Sequence, residues 1–356
     1  MRKQADKKYT WFEVRDIINN CRAKEFLNDI TQQLTIVFLE VTKCCPCHCV
    51  HCYNQGLRIG KEMSYEDVCL LLDKFADLGL LLVLISGGDP LIRPDIFKII
   101  KYAKKKGFAV RLDTSAVLIT EEIAQKLADL YMFWVGLSIY GMSNKSYKLI
   151  TGVPDGFSRV QRAVEAMVKR GIPLTFKILL FKDNFSDLPK AIKWMQSMKI
   201  DSYSVGWQYH PCLDKSRSFA PLRYSLTQRQ LKLLKESLPG TVIPAKFVPK
   251  DDTPLCKTGN NNSMISVSAY GEISPCIQIP TGANFRDKPI REIFLKNSVF
   301  EALRNHTYKY LPKCRDCKDV SYCTPCSAVL YLYTRRLCAT HPPIGMCNYL
   351  SRAARL

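Results

Sequence analysis

Long apolar runs are missing from this sequence. The longest one extends from Leu78 to Ile85 and is interrupted by Gly79. A helix that crosses a bilayer needs about 20 apolar residues, so this run is too short to be one. The opening residues, MRKQADKKYTWFEVRD, are basic but hold no apolar core of the kind that a secretory signal requires. We therefore expect a cytoplasmic protein that has no membrane partner.

Long basic runs and arginine-rich arms are also missing, although the net charge is strongly positive. The chain has 52 lysines and arginines against 32 aspartates and glutamates, which gives a formal charge of +20. A basic surface attracts anionic partners such as acidic peptides or nucleic acid. Because the basic residues are spread along the chain, nucleic acid is not the partner that we expect.

Cysteines are almost absent from the long middle of the chain and crowded on both sides of it. Of the 16 cysteines, five lie between Cys44 and Cys52 and four between Cys314 and Cys326. Disulfides would suit a secreted protein, whereas clustered cysteines in a cytosolic chain more often bind metal. The sequence therefore predicts metal sites near both clusters.

The middle of the chain alternates apolar strands with amphipathic helices. Predicted strands occupy residues 34–41, 80–85, 108–112, 133–139, 174–181 and 202–207. Predicted helices begin at Ser64, Pro94 and Thr120 and then cover residues 157–170, 186–198 and 227–238. Continuous apolar strands in this alternation favour a parallel sheet, and six units fall short of the eight that close a barrel. We predict an α/β fold, a partial (β/α)6 TIM-like barrel whose chemistry lies at the carboxyl ends of its strands.

The chain divides into three predicted parts. Residues 1–33 are an N-terminal extension, residues 34–240 form the partial barrel, and residues 241–356 form a small cysteine-rich, cluster-binding domain. In the last part, the sequence predicts a hairpin turning near residues 270–271 and a helix over residues 289–304. This part has few apolar periodic segments, so we expect bound metal to hold it together.

The motif CCPCHCVHCY directly follows the first predicted strand. Only Cys45, Cys49 and Cys52 fit the spacing C-x3-C-x2-C. Thiolates suit iron–sulfur clusters, and three of them leave one iron of a four-iron cluster open to a small molecule. A zinc site that also uses Cys47 and the two nearby histidines is the alternative.

A second motif, SGGDPLIRPD, follows the second predicted strand. Gly87 and Gly88 allow the backbone to approach a ligand closely, and Asp89 supplies an acceptor. Because both motifs follow strands of a parallel sheet, we expect them to meet at the same edge.

Together, the two motifs resemble those of the radical S-adenosylmethionine (SAM) superfamily. The resemblance implies that the open iron of a [4Fe–4S] cluster binds SAM and that one electron cleaves it. The resulting 5′-deoxyadenosyl radical then takes hydrogen from the substrate. Gly87, Gly88 and Asp89, which replaces the usual glutamate, are implied to lie against the amino group of SAM.

The resemblance continues beyond the second strand. GLSIYG places Ser138 at the end of the fourth strand, and ILLFKDNFSDL resembles the family's fifth strand. Ser138, Lys177 and Asn184 are therefore implied as further SAM contacts, with a strand-end hydroxyl and a helix-capping asparagine as structural alternatives. The family's usual Thr-Asn-Gly after the third strand is replaced here by Thr-Ser-Ala at residues 114–116, which leaves that contact open.

The C-terminal cysteines resemble those of the SPASM domain, which carries two auxiliary [4Fe–4S] clusters. The pattern comprises Cys256, Gly271-x4-Cys276, Cys314-x2-Cys317-x5-Cys323-x2-Cys326 and Cys347. The resemblance implies that the distal cluster is bound by Cys314, Cys317, Cys323 and Cys347, and the nearer one by Cys256, Cys276 and Cys326. Because no cysteine stands near Asn262, we hypothesise that one iron of the nearer cluster is open; the alternative is that Cys212 or Cys338 binds it from elsewhere in the sequence. A zinc ribbon built from the two C-x2-C pairs is the alternative.

The resemblance also implies a function. SPASM relatives mostly modify ribosomally made peptides or protein side chains, so we expect peptide maturation through a thioether or another side-chain crosslink. The expected partners are a peptide or protein substrate and a reductase, flavodoxin or ferredoxin as electron donor. The basic surface would suit an acidic leader segment on the substrate. The alternatives are oxidation of the anaerobic sulfatase-maturating type, epimerisation, and work on a small molecule such as a porphyrin side chain. A zinc-stabilised nucleic-acid-binding protein is the alternative from another class.

Overall fold

The structure is a computed structural model that describes residues 34–54, 60–200, 202–206, 223–237, 248–255, 264–317, 320 and 326–340. No helix within these ranges is both long enough and apolar enough to cross a bilayer. The predicted N-terminal extension, residues 1–33, lies outside the described residues.

Eight strands of the described chain form one sheet in the order β6-β5-β4-β3-β2-β1-β7-β8. The strands are β1 Ile36–Glu40, β2 Leu82–Ser86, β3 Ala109–Thr114, β4 Trp134–Ile139, β5 Leu174–Leu179, β6 Ser202–Gly206, β7 Met264–Val267 and β8 Ile273–Ser274. All neighbours from β1 to β6 pair in parallel, as the alternation of strands and helices predicted. The partial barrel is therefore confirmed.

Helices follow most strands and pack against the sheet. In the described ranges they are α1 Tyr65–Asp77, α2 Ile96–Lys105, α3 Glu121–Asp129, α4 Asn144–Thr151, α5 Gly156–Lys169, α6 Leu188–Ser197, α7 Gln228–Ser237, α8 Ile290–Lys296, α9 Ser298–Asn305, α10 Pro312–Arg315 and α11 Ser327–Thr334. Helix α1 begins directly after Ser64, as predicted, and with a capping box in which Ser64 and Asp67 bind each other's backbone N–H groups. Helix α4 was not predicted from the sequence.

The predicted hairpin joins the cysteine-rich region to the barrel. Strands β7 and β8 are antiparallel and turn at residues 270–271, where Gly271 has a φ of +88° that favours glycine. Strand β7 also pairs in parallel with β1, so this region extends the barrel's own sheet. The helix predicted over residues 289–304 was wrong in one respect, because Asn297 has an extended backbone that ends α8 and caps α9.

The two faces of the sheet differ in polarity. The face covered by helices belongs to the main core through Val37, Leu39, Val83, Ile85, Val110, Leu112, Val135, Leu137, Phe176 and Ile178. Alternation and register put a polar set on the opposite face, which we call the polar face: Glu40, Arg111, Asp113, Ser138, Thr175 and Lys177. The prediction of continuous apolar strands therefore holds for β2 but not for β3 to β5, which alternate.

The cysteine-rich region does not depend on metal alone. Ile265, Val267 and Ile273 of the hairpin are buried in the main core, as are Ile290 and Phe294 of α8. Two small apolar clusters lie further along the chain. One contains Leu255, Tyr308, Leu311, Val320, Leu330 and Ala339, and the other contains Ile279, Leu303 and Ala328. The first half of this region is thus anchored by ordinary packing, which the sequence did not reveal.

Candidate active site

The loop that carries the first cysteine cluster lies against the glycine turn after β2. The N–H of Gly88 donates to the Thr42 carbonyl at 2.7 Å, and the N–H of Asp89 donates to the Cys44 carbonyl at 2.8 Å. A Cβ atom on Gly87 would lie 2.2 Å from the Thr42 carbonyl oxygen, and one on Gly88 would lie 2.0 Å from that of Cys44. Both positions therefore require glycine, because any side chain would push the turn away from the loop.

The same loop is also bonded to the helix that follows β4. The N–H groups of His48 and Val50 donate to the carbonyls of Thr151 and Ile150 at the end of α4, at 2.8 and 3.0 Å. These two backbone bonds hold the middle of the loop, between Cys45 and Cys52, over the carboxyl ends of the strands.

The three predicted cluster cysteines share this loop. Cys49 is buried, and Cys45 and Cys52 are half-buried. The described residues contain no set of three or more His, Cys, Asp or Glu side chains already arranged as a metal cage. Bonding to the neighbouring Cys47 and burial both raise the pKa of Cys45, so a cation is needed to stabilise its thiolate. Soft thiols crowded on one loop are a donor set that fits an iron–sulfur cluster.

His51 is held by aromatic packing. Its ring lies between those of Tyr140 and Phe181, with centroids 5.4 and 5.0 Å away. Burial lowers the pKa of His51 to about 4, so its imidazole is neutral near pH 7. His51 therefore packs as a neutral ring against the segments that follow β4 and β5.

Asp89 is fully buried and its carboxylate is engaged within the protein. It accepts hydrogen bonds from the Thr114 hydroxyl at 2.9 Å, the Ser115 hydroxyl at 2.5 Å, and the N–H groups of Ser115 and Leu91 at 3.0 and 3.1 Å. These hydrogen bonds lower the pKa of Asp89, but burial outweighs them and raises that pKa above its ordinary value. The carboxylate thus joins the glycine turn to the end of β3. Its contact with SAM stays a prediction.

Lys177 and Ser138 sit opposite each other on β5 and β4, on the polar face. The Lys177 ammonium pairs with Asp113, which also accepts from Arg111 Nε at 2.9 Å. Burial raises the pKa of Asp113, but the two cations outweigh it and hold that pKa below its ordinary value. Gly136 of β4 stands opposite Asp113 of β3, and a Cβ atom on Gly136 would lie 2.1 Å from Asp113 Oδ1. The missing side chain at this position makes room for the charged triad.

Asn184 lies at the end of β5 and binds only backbone in the described contacts. Its amide nitrogen donates to the carbonyls of Tyr140 and Leu179, each at 2.9 Å, and its oxygen accepts from the N–H of Phe181 at 2.7 Å. The side chain makes no helix-capping bond. Asn184 therefore fixes the loops after β4 and β5, and its role as a SAM contact stays a prediction.

The C-terminal cysteines that the structure describes fall into two groups. Cys276 and Cys326 pack against the cluster of Ile279, Leu303 and Ala328, whereas Cys314 and Cys317 pack against the cluster around Leu311. Cys276 and Cys326 were predicted for the nearer cluster and Cys314 and Cys317 for the distal one, and both assignments stay predictions. The remaining predicted ligands, Cys256, Cys323 and Cys347, lie outside the described residues, so the ligand sets stay predictions.

Sequence reasoning missed two sets of charged residues at the site. One is the Arg111–Asp113 pair, and the other is a network around Glu40, which accepts from Lys43 Nζ at 2.5 Å and from Asn54 Nδ2 at 3.0 Å. The sequence did hold a signal for both sets, because charged residues occur among apolar ones in these strands: Glu40 in IVFLE, and Arg111 and Asp113 in AVRLDT. Such residues are seldom buried unless they are paired.

Comparison with known proteins supports the same interpretation. The radical SAM superfamily profile matches residues 39–195, and an iron–sulfur cluster-binding domain profile, SPASM, matches residues 256–318. An AdoMet-dependent heme synthase from Methanosarcina barkeri is 27% identical over 330 residues, which cover 86% of this chain and 94% of that protein. A PqqA peptide cyclase from Ruegeria pomeroyi is 29% identical over 299 residues, which cover 79% of each chain.

A solved structure has the same fold. Streptococcus suis SuiB bound to S-adenosylmethionine gives a TM-score of 0.68 at 17% identity, covering 88% of this chain and 77% of that one. SuiB bound to its precursor peptide SuiA gives a TM-score of 0.66 at 16% identity, covering 83% and 72%. At this identity, the likeness establishes the fold alone.

Proposed function

We propose, since the chain belongs to the radical SAM superfamily and carries a SPASM domain, that this enzyme modifies a side chain of a peptide or protein substrate. The radical SAM domain implies SAM and a [4Fe–4S] cluster as cofactors, and the SPASM domain implies auxiliary iron–sulfur clusters. The expected products are a thioether or another side-chain crosslink.

The proposed cluster ligands are Cys45, Cys49 and Cys52. Their thiols lie on one loop whose backbone is fixed on both sides, which keeps the ligands in place. When bound, the cluster and SAM supply a 5′-deoxyadenosyl radical that takes hydrogen from the substrate. Gly87 and Gly88 bring the backbone of the turn against this loop, where it can bind the amino group of SAM.

The polar face of the sheet is the observation that most favours a peptide substrate. On the polar face Ser138 and Lys177 stay partly exposed, whereas Arg111, Asp113 and Thr175 are buried and bonded within the protein. Peptide groups and polar side chains need hydrogen-bonding partners when they leave water, and this face provides them. The likeness to PqqA peptide cyclase and to SuiB, which binds a precursor peptide, supports the same substrate class.

A porphyrin side chain is the second candidate substrate. The heme synthase relative aligns over 94% of its own length, more than the 79% of the peptide cyclase. A porphyrin ring is large and flat and needs a wide apolar surface. The polar face of β3 to β5 is less suited to such a ring than to a peptide.

The proposed setting is the cytoplasm, with a flavodoxin, ferredoxin or other reductase as electron donor. Every cysteine in the described ranges is a free thiol, which suits a reducing compartment. The net charge of +20 favours an acidic donor and an acidic leader segment on the substrate.

One experiment tests the substrate class. The enzyme, purified without oxygen, is incubated with SAM, a reductant and either a short peptide or an iron porphyrin that carries propionate side chains. The peptide probe is a short cysteine-rich sequence with an acidic leader, taken from the gene's neighbourhood where one is encoded there. We expect mass spectrometry to show loss of hydrogen from this peptide and no change in the porphyrin. A modified porphyrin with an unchanged peptide would replace the first candidate by the second.

A further inference from the structure

Glu40 ends β1 at the point where the cysteine loop begins. Its side chain is fully buried and accepts three hydrogen bonds, from Lys43 Nζ at 2.5 Å, Asn54 Nδ2 at 3.0 Å and the Tyr53 hydroxyl at 3.2 Å. A buried carboxylate is costly unless it is paired and hydrogen-bonded, and Glu40 is both. The sequence thus buries a charge beside the proposed cluster and surrounds it with partners.

The partners of Glu40 also bind one another. Lys43 Nζ donates to Asn54 Oδ1 at 2.7 Å, and Asn54 Nδ2 reaches the carbonyl of Gly87 at 3.3 Å. Lys43 stands just before the cysteine loop, and Asn54 stands just after it. We call Glu40, Lys43, Tyr53 and Asn54 the clasp, because they hold both ends of the loop together and tie them to the glycine turn.

Within the clasp, Glu40, Lys43 and Asn54 are closed to water, and the clasp as a whole is close to neutral. The side chain of Lys43 is 7% exposed, and Asn54 is 8% exposed. Its carboxylate and ammonium cancel, so the clasp adds little net charge to its surroundings. Its effect on the loop is therefore expected to be mainly geometric, since the fixed bonds set the separation of Cys45 from Cys52 and the place of Gly87.

We propose that Glu40 is a positioning residue, which holds the cysteine loop and the Gly87 turn in one arrangement through Lys43 and Asn54. This inference rests on the proposed function, in which the loop binds the catalytic cluster and the turn binds SAM. Groups that orient the ligands of a metal centre typically change affinity or activity by about 10- to 100-fold when they are removed. The clasp is expected to have an effect of this size on SAM affinity.

The test uses two single variants of the full-length, cluster-loaded protein. Glu40→Gln removes the charge and leaves Lys43 without its carboxylate, whereas Asn54→Leu keeps the ion pair and removes the tie to Gly87. SAM is titrated into each reduced protein, and the perturbation of the catalytic cluster's EPR signal gives the Kd. We expect the Kd to rise about 10- to 100-fold in both variants. The midpoint potential of this cluster is expected to shift only in Glu40→Gln.

Two further variants keep the test decisive. Glu40→Gln/Lys43→Met has no unpaired buried charge, so it is expected to fold even if the single variant does not, and still to bind SAM weakly. Glu122→Gln breaks an exposed ion pair of 2.6 Å with Lys126 and serves as the control, with an unchanged Kd.

The outcomes separate this inference from the proposed function. Wild-type affinity for SAM in Asn54→Leu and in the double variant would reduce the clasp to a stabilising contact and overturn the inference. If the wild-type protein itself showed no response to SAM, the proposed function would fail instead.

Discussion

Gly136 offers a sharp test of the charged triad on the polar face. A Cβ atom added at this position would lie 2.1 Å from Asp113 Oδ1 and 2.8 Å from Arg111 Nη2, whereas ordinary contact begins near 3.4 Å. Asp113 is 8% exposed and Arg111 is 3% exposed, so neither side chain can turn into solvent. The substitution Gly136→Ala must therefore displace the carboxylate from at least one of its cationic partners.

The size of the effect follows from the packing and the charges. Overpacking of a well-filled site costs about 1–3 kcal/mol, and breaking a buried ion pair costs about 3–5 kcal/mol when one charge is left without a partner. Because the carboxylate is displaced rather than deleted, we expect a loss of about 2–4 kcal/mol in the free energy of unfolding. Since each kcal/mol lowers the Tm of a domain of this size by roughly 2–4 °C, the Tm should fall by about 4–16 °C.

The assay is thermal unfolding of the full chain without oxygen, followed by circular dichroism. Gly206→Ala is the matched control, because its added Cβ would meet only the end of the Leu179 side chain, at 2.8 Å. This flexible side chain can move, so we expect a change within about 1 kcal/mol.

A double-mutant cycle identifies the cause. In an Asp113→Ala background the closest contact of the new methyl group is absent, so adding Gly136→Ala should cost at least about 1 kcal/mol less than it does in the wild type. Strictly additive costs for the two substitutions would refute the reasoning, because the methyl group would then not act through the carboxylate.

Three further outcomes are expected. Burial alone would raise the pKa of Asp113, but the neighbouring cations hold it below its ordinary 3.8. The contribution of Asp113 to stability should therefore be lost as the pH falls below about 4. In Asp113→Asn, stability measured by unfolding should therefore fall less steeply below about pH 4 than in the wild type. The same steep fall in both proteins would contradict this role of Asp113. Replacing Cys314 and Cys317 by Ala should remove auxiliary-cluster iron and hasten proteolysis after residue 305, as measured by metal analysis and limited digestion, while equal digestion rates would contradict this. Ser64→Ala should cost about 1 kcal/mol through the lost cap of α1, measured by chemical unfolding, and no loss would refute the cap.

Local patterns in the sequence were sufficient to predict the elements of the barrel. The predicted helix starts at Ser64 and Pro94 lie within two residues of the first residues of α1 and α2. Helix α4 was missed because its sequence, NKSYKLIT, is mostly polar and buries little beyond Tyr147 and Ile150. The position of both site motifs at one sheet edge followed from the parallel strand order.

Contacts between distant segments could not be predicted in the same way. Glu40 and Asn54 are 14 residues apart, and Asp113 and Lys177 are 64 residues apart, so their pairing depends on strand register and loop path. A buried charge in the sequence indicates that a partner exists but does not identify it. The partners of Asp89 were hidden for the same reason, since Thr114 and Ser115 reach it only after β2 and β3 pair.

The most direct measurement of the central claim is SAM cleavage by the triple variant Cys45→Ala/Cys49→Ala/Cys52→Ala. The wild-type protein, reconstituted without oxygen and reduced, is expected to produce 5′-deoxyadenosine from SAM. The triple variant is expected to produce none while keeping its circular dichroism spectrum, because the core between the sheet and its helices consists mainly of aliphatic and aromatic side chains. Formation of 5′-deoxyadenosine by the folded triple variant would contradict the assignment of these cysteines and the account that depends on it.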